Sequence, residues 1–93
     1  MAWDTAEVTE ELTPTCISTQ ARYVGGITLV AGAAAAALEL FDGNPATDGT
    51  LKETLEAAAS ATSLRNFEQG LLLPKGLYVQ VVGDGAVGYV RYK

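Results

Sequence analysis

The fold class is decided by residues 77–92, which read LYVQVVGDGAVGYVRY. The apolar residues Leu77, Val79 and Val81 alternate with other residues, and this two-residue period is typical of a strand that buries one face. A Gly-Asp-Gly turn signature and a second strand-like run follow directly. We therefore predict two antiparallel strands joined as a β-hairpin. The second of them is predicted to lie inside a sheet.

Upstream, residues 16–30 are also rich in β-branched and aromatic residues, as strands are. Ile27 and Leu29 alternate with Thr28, and the run fits either two strands or one long strand. The pair Gly25-Gly26 falls in the middle of this run. Glycines inside a strand often mark a bulge or a bend, and we expect one here.

The alanine-rich run at 31–37 would favour a helix by propensity alone. It continues, however, into Leu38, Glu39 and Leu40, where apolar and charged residues alternate. The run then stops at the turn signature Asp-Gly-Asn-Pro of residues 42–45. This pattern predicts a strand that enters a loop, with Leu38 and Leu40 facing inward.

Residues 50–60 carry the strongest helical signal of the chain. Thr50 and Glu53 have the spacing of a capping box, and Leu51, Leu55 and Ala58 have the spacing of one helical face. The chain around this segment is patterned for strands, and local signals are weak against tertiary context. A short helix and a strand both stay open for this segment.

The first fifteen residues differ from the rest of the chain. They are polar and acidic and end near Pro14, which interrupts any strand ladder. We predict an extended N-terminal arm at 1–15, which the fold does not need, and a single domain at 16–93. The fold class is predicted to be all-β, either a small antiparallel β-sandwich or a jelly-roll-like barrel.

Charge is distributed unevenly along the chain. Residues 1–20 hold four acids and no base, whereas residues 21–93 hold seven acids against six bases. The bases are dispersed singly, so we predict no nucleic-acid binding, which needs clustered Lys and Arg. The chain has no apolar stretch of the roughly 18–20 residues that a membrane span requires, and residues 1–20 do not have the pattern of a signal peptide. We expect no membrane partner and synthesis in a cytoplasm.

The composition argues against an enzyme. There is no histidine, and Cys16 is the single cysteine, so the usual nucleophile–base pairs and Cys/His metal sites cannot be built. Residues 83–88 spell G-x-G-x-x-G, but they lie between two predicted strands rather than before a helix. We expect no catalytic residue, no cofactor and no metal.

Two weaker constellations are ordinary features of a β-rich chain. Asp42, Asp48 and Asp84 fall in predicted turns and could converge on one end of a sandwich as an acid/base or calcium site. The pattern is more typical of ordinary turns, where Asp is common because its side chain caps its own backbone. The tyrosines at 78, 89 and 92 lie on predicted neighbouring strands. They could form an aromatic platform, but the pattern is more typical of half-buried strand tyrosines with wet hydroxyls.

Three segments resemble small β-sandwich structural proteins of tailed bacteriophages. They are residues 38–43 (LELFDG), residues 73–79 (LPKGLYV) and the ending at 87–92 (VGYVRY). The likeness covers roughly residues 21–93 and leaves the acidic segment at 1–20 outside it. It implies a non-enzymatic virion protein, above all a capsid decoration or cement protein that binds and stabilises major capsid subunits.

On this interpretation the chain works in the virion, as a homo-oligomer (a dimer or a trimer) that contacts the major capsid protein or other virion proteins. The acidic N-terminal arm would provide the contact, since segments of this kind can order on binding. The predicted partner-binding residues are Trp3, Glu7, Val8, Glu10, Glu11 and Leu12. Two alternatives stay open, namely a tail, collar or fibre module and a small carbohydrate- or receptor-binding sandwich.

Overall fold

The structure is a computed structural model that describes residues 3–93. Over these residues it contains eight β-strands and no helix. The strands are β1 (Asp4–Thr9), β2 (Thr15–Ser18), β3 (Arg22–Val30), β4 (Ala36–Asp42), β5 (Thr50–Ala57), β6 (Thr62–Leu73), β7 (Leu77–Val82) and β8 (Val87–Tyr92). The prediction of an all-β fold is confirmed.

The strands form two four-stranded antiparallel sheets that pack face to face. Sheet A has the strand order β1-β8-β3-β6, and sheet B has the order β2-β7-β4-β5. The hydrogen-bonded pairs include β1–β8, β2–β7, β3–β6 and β4–β5. The first strand thus pairs with the last, the second with the second-last, and so on towards the middle of the chain. This is the strand order of an eight-stranded jelly roll, in which a long antiparallel ribbon folds over into a sandwich.

A single hydrophobic core fills the space between the sheets. Alternate residues of β4 and β7 are buried in sheet B, and they face the buried residues of β3 and β8 in sheet A. Gly88 in β8 provides the room for this packing, because a Cβ there would lie 2.7 Å from Cδ1 of Leu38 and 2.9 Å from Cγ2 of Val81. The fully buried large side chains are Val8, Val24, Ile27, Leu29, Leu38, Leu40, Leu73, Leu77, Val79, Val81 and Val90.

Two predicted segments are confirmed. Residues 16–30 form two strands, β2 and β3, and the register of β3 shifts between Val24 and Gly26, where a bulge was expected. The alanine-rich run gives way to β4, with Leu38 and Leu40 buried. The alternation of β4 therefore outweighs the helix propensity of the alanines.

Of the two structures left open for residues 50–60, the strand forms and the short helix does not. β5 pairs with β4 along its length, and Leu55 and Ala57 are buried with a period of two. Thr50 pairs with Asp42 in this ladder instead of capping a helix. The helical spacing of the apolar residues was a coincidence that the sheet overrides.

The predicted C-terminal hairpin is wrong. β7 pairs with β2 and β4 in sheet B, whereas β8 pairs with β1 and β3 in sheet A. The turn at 83–86 therefore carries the chain from one sheet to the other, with Gly83 and Gly85 at φ 133° and 74°. Both strands bury alternate residues in the same core, but from opposite sides. β8 nevertheless lies inside its sheet, as expected.

The predicted arm at 1–15 is also corrected. Asp4–Thr9 forms the edge strand β1, which pairs with β8 from Asp4↔Tyr92 to Thr9↔Val87. Val8 of this strand belongs to the core, so removal of the segment would take away a strand and a core residue. Residues 10–14 connect β1 to β2, and positions 1 and 2 of the predicted arm lie outside the described residues.

Two of the segments that carry the phage resemblance lie side by side. Asp42, at the end of β4, is buried, and its carboxylate accepts the backbone N–H of Lys75 at 2.8 Å. The N–H of Gly43 donates to the carbonyl of Gly76 at 3.0 Å. Both glycines have positive φ angles, 89° and 124°. The Asp-Gly and Lys-Gly pairs therefore fix the loop after β4 against the turn between β6 and β7.

We predict that Asp42→Ala lowers the free energy of unfolding by about 1–3 kcal/mol, because the Lys75 N–H loses its acceptor in a partly buried site. Asp42→Asn, which keeps an acceptor oxygen, should cost less than half as much. Urea denaturation would measure both. The control is Asp48→Ala, which breaks an exposed ion pair with Lys75 and should cost about 0.5 kcal/mol or less. Equal effects of Asp42→Ala and Asp48→Ala would contradict the assignment.

Candidate functional site

Trp3 lies on the outer face of sheet A, above the backbone of Gly25. A Cβ at Gly25 would stand 2.9 Å from two carbons of the indole, so only glycine gives the ring this position. Two cations stack on the indole, with the Lys93 ammonium 4.5 Å and the Arg91 guanidinium carbon 5.5 Å from its centroid. Trp3 as a whole is 38% exposed. Trp3 is therefore held against the sheet by contacts within the chain.

Next to Trp3 the same face carries a small polar depression of about 220 Å³. We call it the Gly26 depression, and its lining residues are Thr5, Gly26, Ile27, Thr28, Asn66, Tyr89 and Arg91. All four strands of sheet A contribute to it. Arg91 is fixed beside it by a hydrogen bond to the carbonyl of Gly25 at 3.1 Å.

Sequence reasoning missed the Gly26 depression as a site. The signal was present in the Gly25-Gly26 pair, since glycine in a strand can mark a close approach of a ligand as well as a bulge. The residues that surround the pair come from β1, β6 and β8, which are distant in sequence. Only the fold brings them together.

A second surface surrounds the connection between β1 and β2. Leu12 is 99% exposed there, although the two residues before it are held by hydrogen bonds. The Glu10 carboxylate accepts the N–H of Gly83 at 2.9 Å, and the Gln80 amide donates to the carbonyl of Glu11 at 3.5 Å. An open depression of about 510 Å³ lies beside the loop. The lining residues, which we call the Leu12 surface, are Glu10, Glu11, Leu12, Gln80, Val81 and Val82.

The structure does not bring the six predicted partner-binding residues together. Trp3 and Glu7 lie on the outer face of sheet A, while Val8 points into the core. Glu10, Glu11 and Leu12 form part of the Leu12 surface, next to the end of β7. Successive residues of a strand point to opposite faces of the sheet, so a strand at 4–9 separates these side chains.

The turn aspartates and the tyrosines do not form joint sites. Asp42 and Asp48 lie near Lys75, whereas Asp84 lies at the other end of β7, beside Gly32. Tyr78 is in sheet B, while the tyrosines at 89 and 92 are in sheet A. Within residues 3–93 there is no group of three or more His, Cys, Asp or Glu side chains that could hold a metal ion.

Cys16 is exposed on β2 and pairs across the sheet with Tyr78 on β7. The hydrogen bond with the Cys16 thiol, followed by desolvation and charge repulsion, raises the pKa of the Tyr78 hydroxyl above its usual value. This pair acts as a local polar contact on the outer face of sheet B.

No protein-family model matches the chain, and no curated protein sequence matches it either. Within residues 3–93 there is no helix that is long and apolar enough to cross a membrane.

We predict very different stability effects for alanine substitutions at two residues of the N-terminal segment. Val8→Ala should lower the free energy of unfolding by about 1.5–3 kcal/mol, because it removes two buried methyl groups from the core. Leu12→Ala should change it by about 0.5 kcal/mol or less, because Leu12 is exposed. Thermal and urea unfolding measure both. If Val8→Ala were neutral, β1 would not be part of the folded sandwich.

Proposed function

We propose that this chain is a non-enzymatic virion structural protein, a capsid decoration protein that binds and stabilises major capsid subunits through its Leu12 surface. The observation that carries the contact is Leu12, a large apolar side chain that is 99% exposed and follows two residues, Glu10 and Glu11, that are hydrogen-bonded to the rest of the domain. The proposal that the partner is a capsid rests on the resemblance to small phage β-sandwich proteins.

Leu12 has the physical properties of an anchor residue. Burying a leucine side chain in an apolar cleft of a partner is worth about 1.5–3 kcal/mol. The hydrogen bonds of the preceding Glu10 and Glu11 restrict the first part of the loop before binding, which lowers the conformational entropy lost on association. Val82, 48% exposed on the same surface, extends the apolar contact.

The charge of the Leu12 surface defines the complementary partner. Glu10 and Glu11 are exposed acids, and the surface contains no base. A cleft that accepts Leu12 should therefore be bordered by Lys or Arg on the capsid subunit, which favours correct orientation and fast association. Attachment through such a contact should weaken as the salt concentration rises.

The small size of the domain fits a role in an assembly. A 93-residue chain has a thin margin of stability, and binding to a shell adds to it by linkage. The same linkage stabilises the shell, which is the function of a decoration protein. Further copies around a symmetry axis of the capsid would give the homo-oligomer that the resemblance implies.

We predict that Leu12→Asp abolishes attachment to capsids. The purified protein would be mixed with undecorated capsids of the phage that encodes it, and the capsids would be sedimented. Wild type should co-sediment and raise the melting temperature of the shells, whereas Leu12→Asp should stay in the supernatant, because it introduces a charge at the anchor.

The matched control is Leu64→Asp on the outer face of sheet A, where Leu64 is 62% exposed on β6, at the opposite edge of the sheet from β1. It should co-sediment like wild type. Loss of attachment in Leu64→Asp alone would move the contact to sheet A and overturn the assignment to Leu12. Wild type that stays in the supernatant would overturn the decoration proposal and favour a tail, collar or fibre module.

A further inference from the structure

We propose that the Gly26 depression is a binding site for an acidic saccharide, a single sugar ring that carries a carboxylate. This site lies on the outer face of sheet A and uses none of the residues of the Leu12 surface. The inference is therefore independent of the capsid proposal, and the two can fail separately.

The depression exists because Gly26, within a row of paired residues across sheet A, has no side chain. Across sheet A, Arg91 of β8 pairs with Thr5 on one side and with Gly26 on the other, and Gly26 pairs with Asn66. A Cβ at Gly26 would lie 2.9 Å from Oδ1 of Asn66. The Asn66 amide therefore leans over Gly26, the backbone of β3 forms the floor beside it, and the neighbouring side chains form the walls.

The walls supply the groups that recognise sugar hydroxyls. The hydroxyls of Thr5, Thr28 and Tyr89 and the amide of Asn66 surround the floor, and each can donate and accept hydrogen bonds. Among the side-chain hydrogen bonds formed within residues 3–93, none involves these four side chains. Their donors and acceptors are therefore available to hydrogen-bond a polyhydroxylated ligand, and the Tyr89 ring adds an apolar face.

Arg91 favours a ligand that carries a negative charge. It is the only charged residue in the lining, and one of its guanidinium nitrogens is held by the Gly25 carbonyl. The remaining donors can bind a carboxylate in the bidentate geometry that Arg prefers. Outside the lining, the same face carries Lys93, stacked on Trp3, and the acidic Glu7, which pairs with Tyr89, so Arg91 is the charge that faces the ligand. A sugar acid satisfies both the hydroxyl groups of the walls and this charge.

The size of the depression sets the length of the ligand. Its volume of about 220 Å³ is below the range of about 300–1,000 Å³ that is usual for drug-sized ligands. It accommodates one sugar ring rather than an extended chain. With so few atoms in contact, we expect a Kd on the order of 1 mM.

Trp3 provides the readout, because it is the single tryptophan and stacks on Arg91. The protein would be titrated with glucuronate, glucose and acetate while the tryptophan fluorescence is followed. We expect a saturable change with glucuronate, at least tenfold weaker binding of glucose, and no saturation with acetate over the same range. Equal responses to glucuronate and acetate would reduce the site to a simple anion site and overturn the proposal, as would no response to glucuronate.

Two variants test the location of the site. Asn66→Ala and Tyr89→Phe each remove polar groups from the walls, and each should weaken glucuronate binding about tenfold or more. Tyr78→Phe removes the same hydroxyl as Tyr89→Phe but from sheet B, and it should bind like wild type. Amide chemical shifts on addition of glucuronate should change around Thr28, Asn66 and Tyr89. If both wall variants bound as tightly as wild type, or if the shifts clustered elsewhere, the site would not be the Gly26 depression.

Discussion

The packing of the two inner sheet faces against each other is the constraint on which the rest of the structure depends. Leu38, Leu40 and Val79 of sheet B and Ile27 and Leu29 of sheet A are all essentially inaccessible to solvent. Every strand that contributes to this core must present alternate residues to it, so the outward residues are fixed at the same time. Trp3 and the walls of the Gly26 depression owe their positions to this alternation.

The strands could be predicted largely from local pattern, whereas their partners could not. The alternation in Leu38-Glu39-Leu40 and in Leu77–Val82 identified buried faces correctly, since a period of two is the signature of a half-buried strand. The same pattern does not indicate which sheet a strand joins. β7 and β8 look like a hairpin because the turn between them is short, but in a jelly roll a short turn can also cross between sheets.

The candidate sites were less accessible to sequence reasoning than the fold. Val8 stands between Glu7 and Thr9 in β1, and the acidic and polar residues around it gave no sign that it enters the core. The Gly25-Gly26 pair was recognised as a bulge, but its role depends on Trp3 above one glycine and Asn66 beside the other. Contacts of this kind join residues about 20 to 40 positions apart, and no local pattern encodes them.

The register of β1 also has a mechanical consequence. β1 is an edge strand that runs antiparallel to β8, so Asp4 and Tyr92 are paired at the same end of the sandwich. A pulling force applied at these two residues would load the hydrogen bonds one after another, as in opening a zipper, instead of shearing them all together. The first strand would peel away at low force, whereas β8, held on its other side by β3, would resist longer. A tether attached at Asp4 and Tyr92 would therefore make a weak mechanical link in a domain that is otherwise closed around one core.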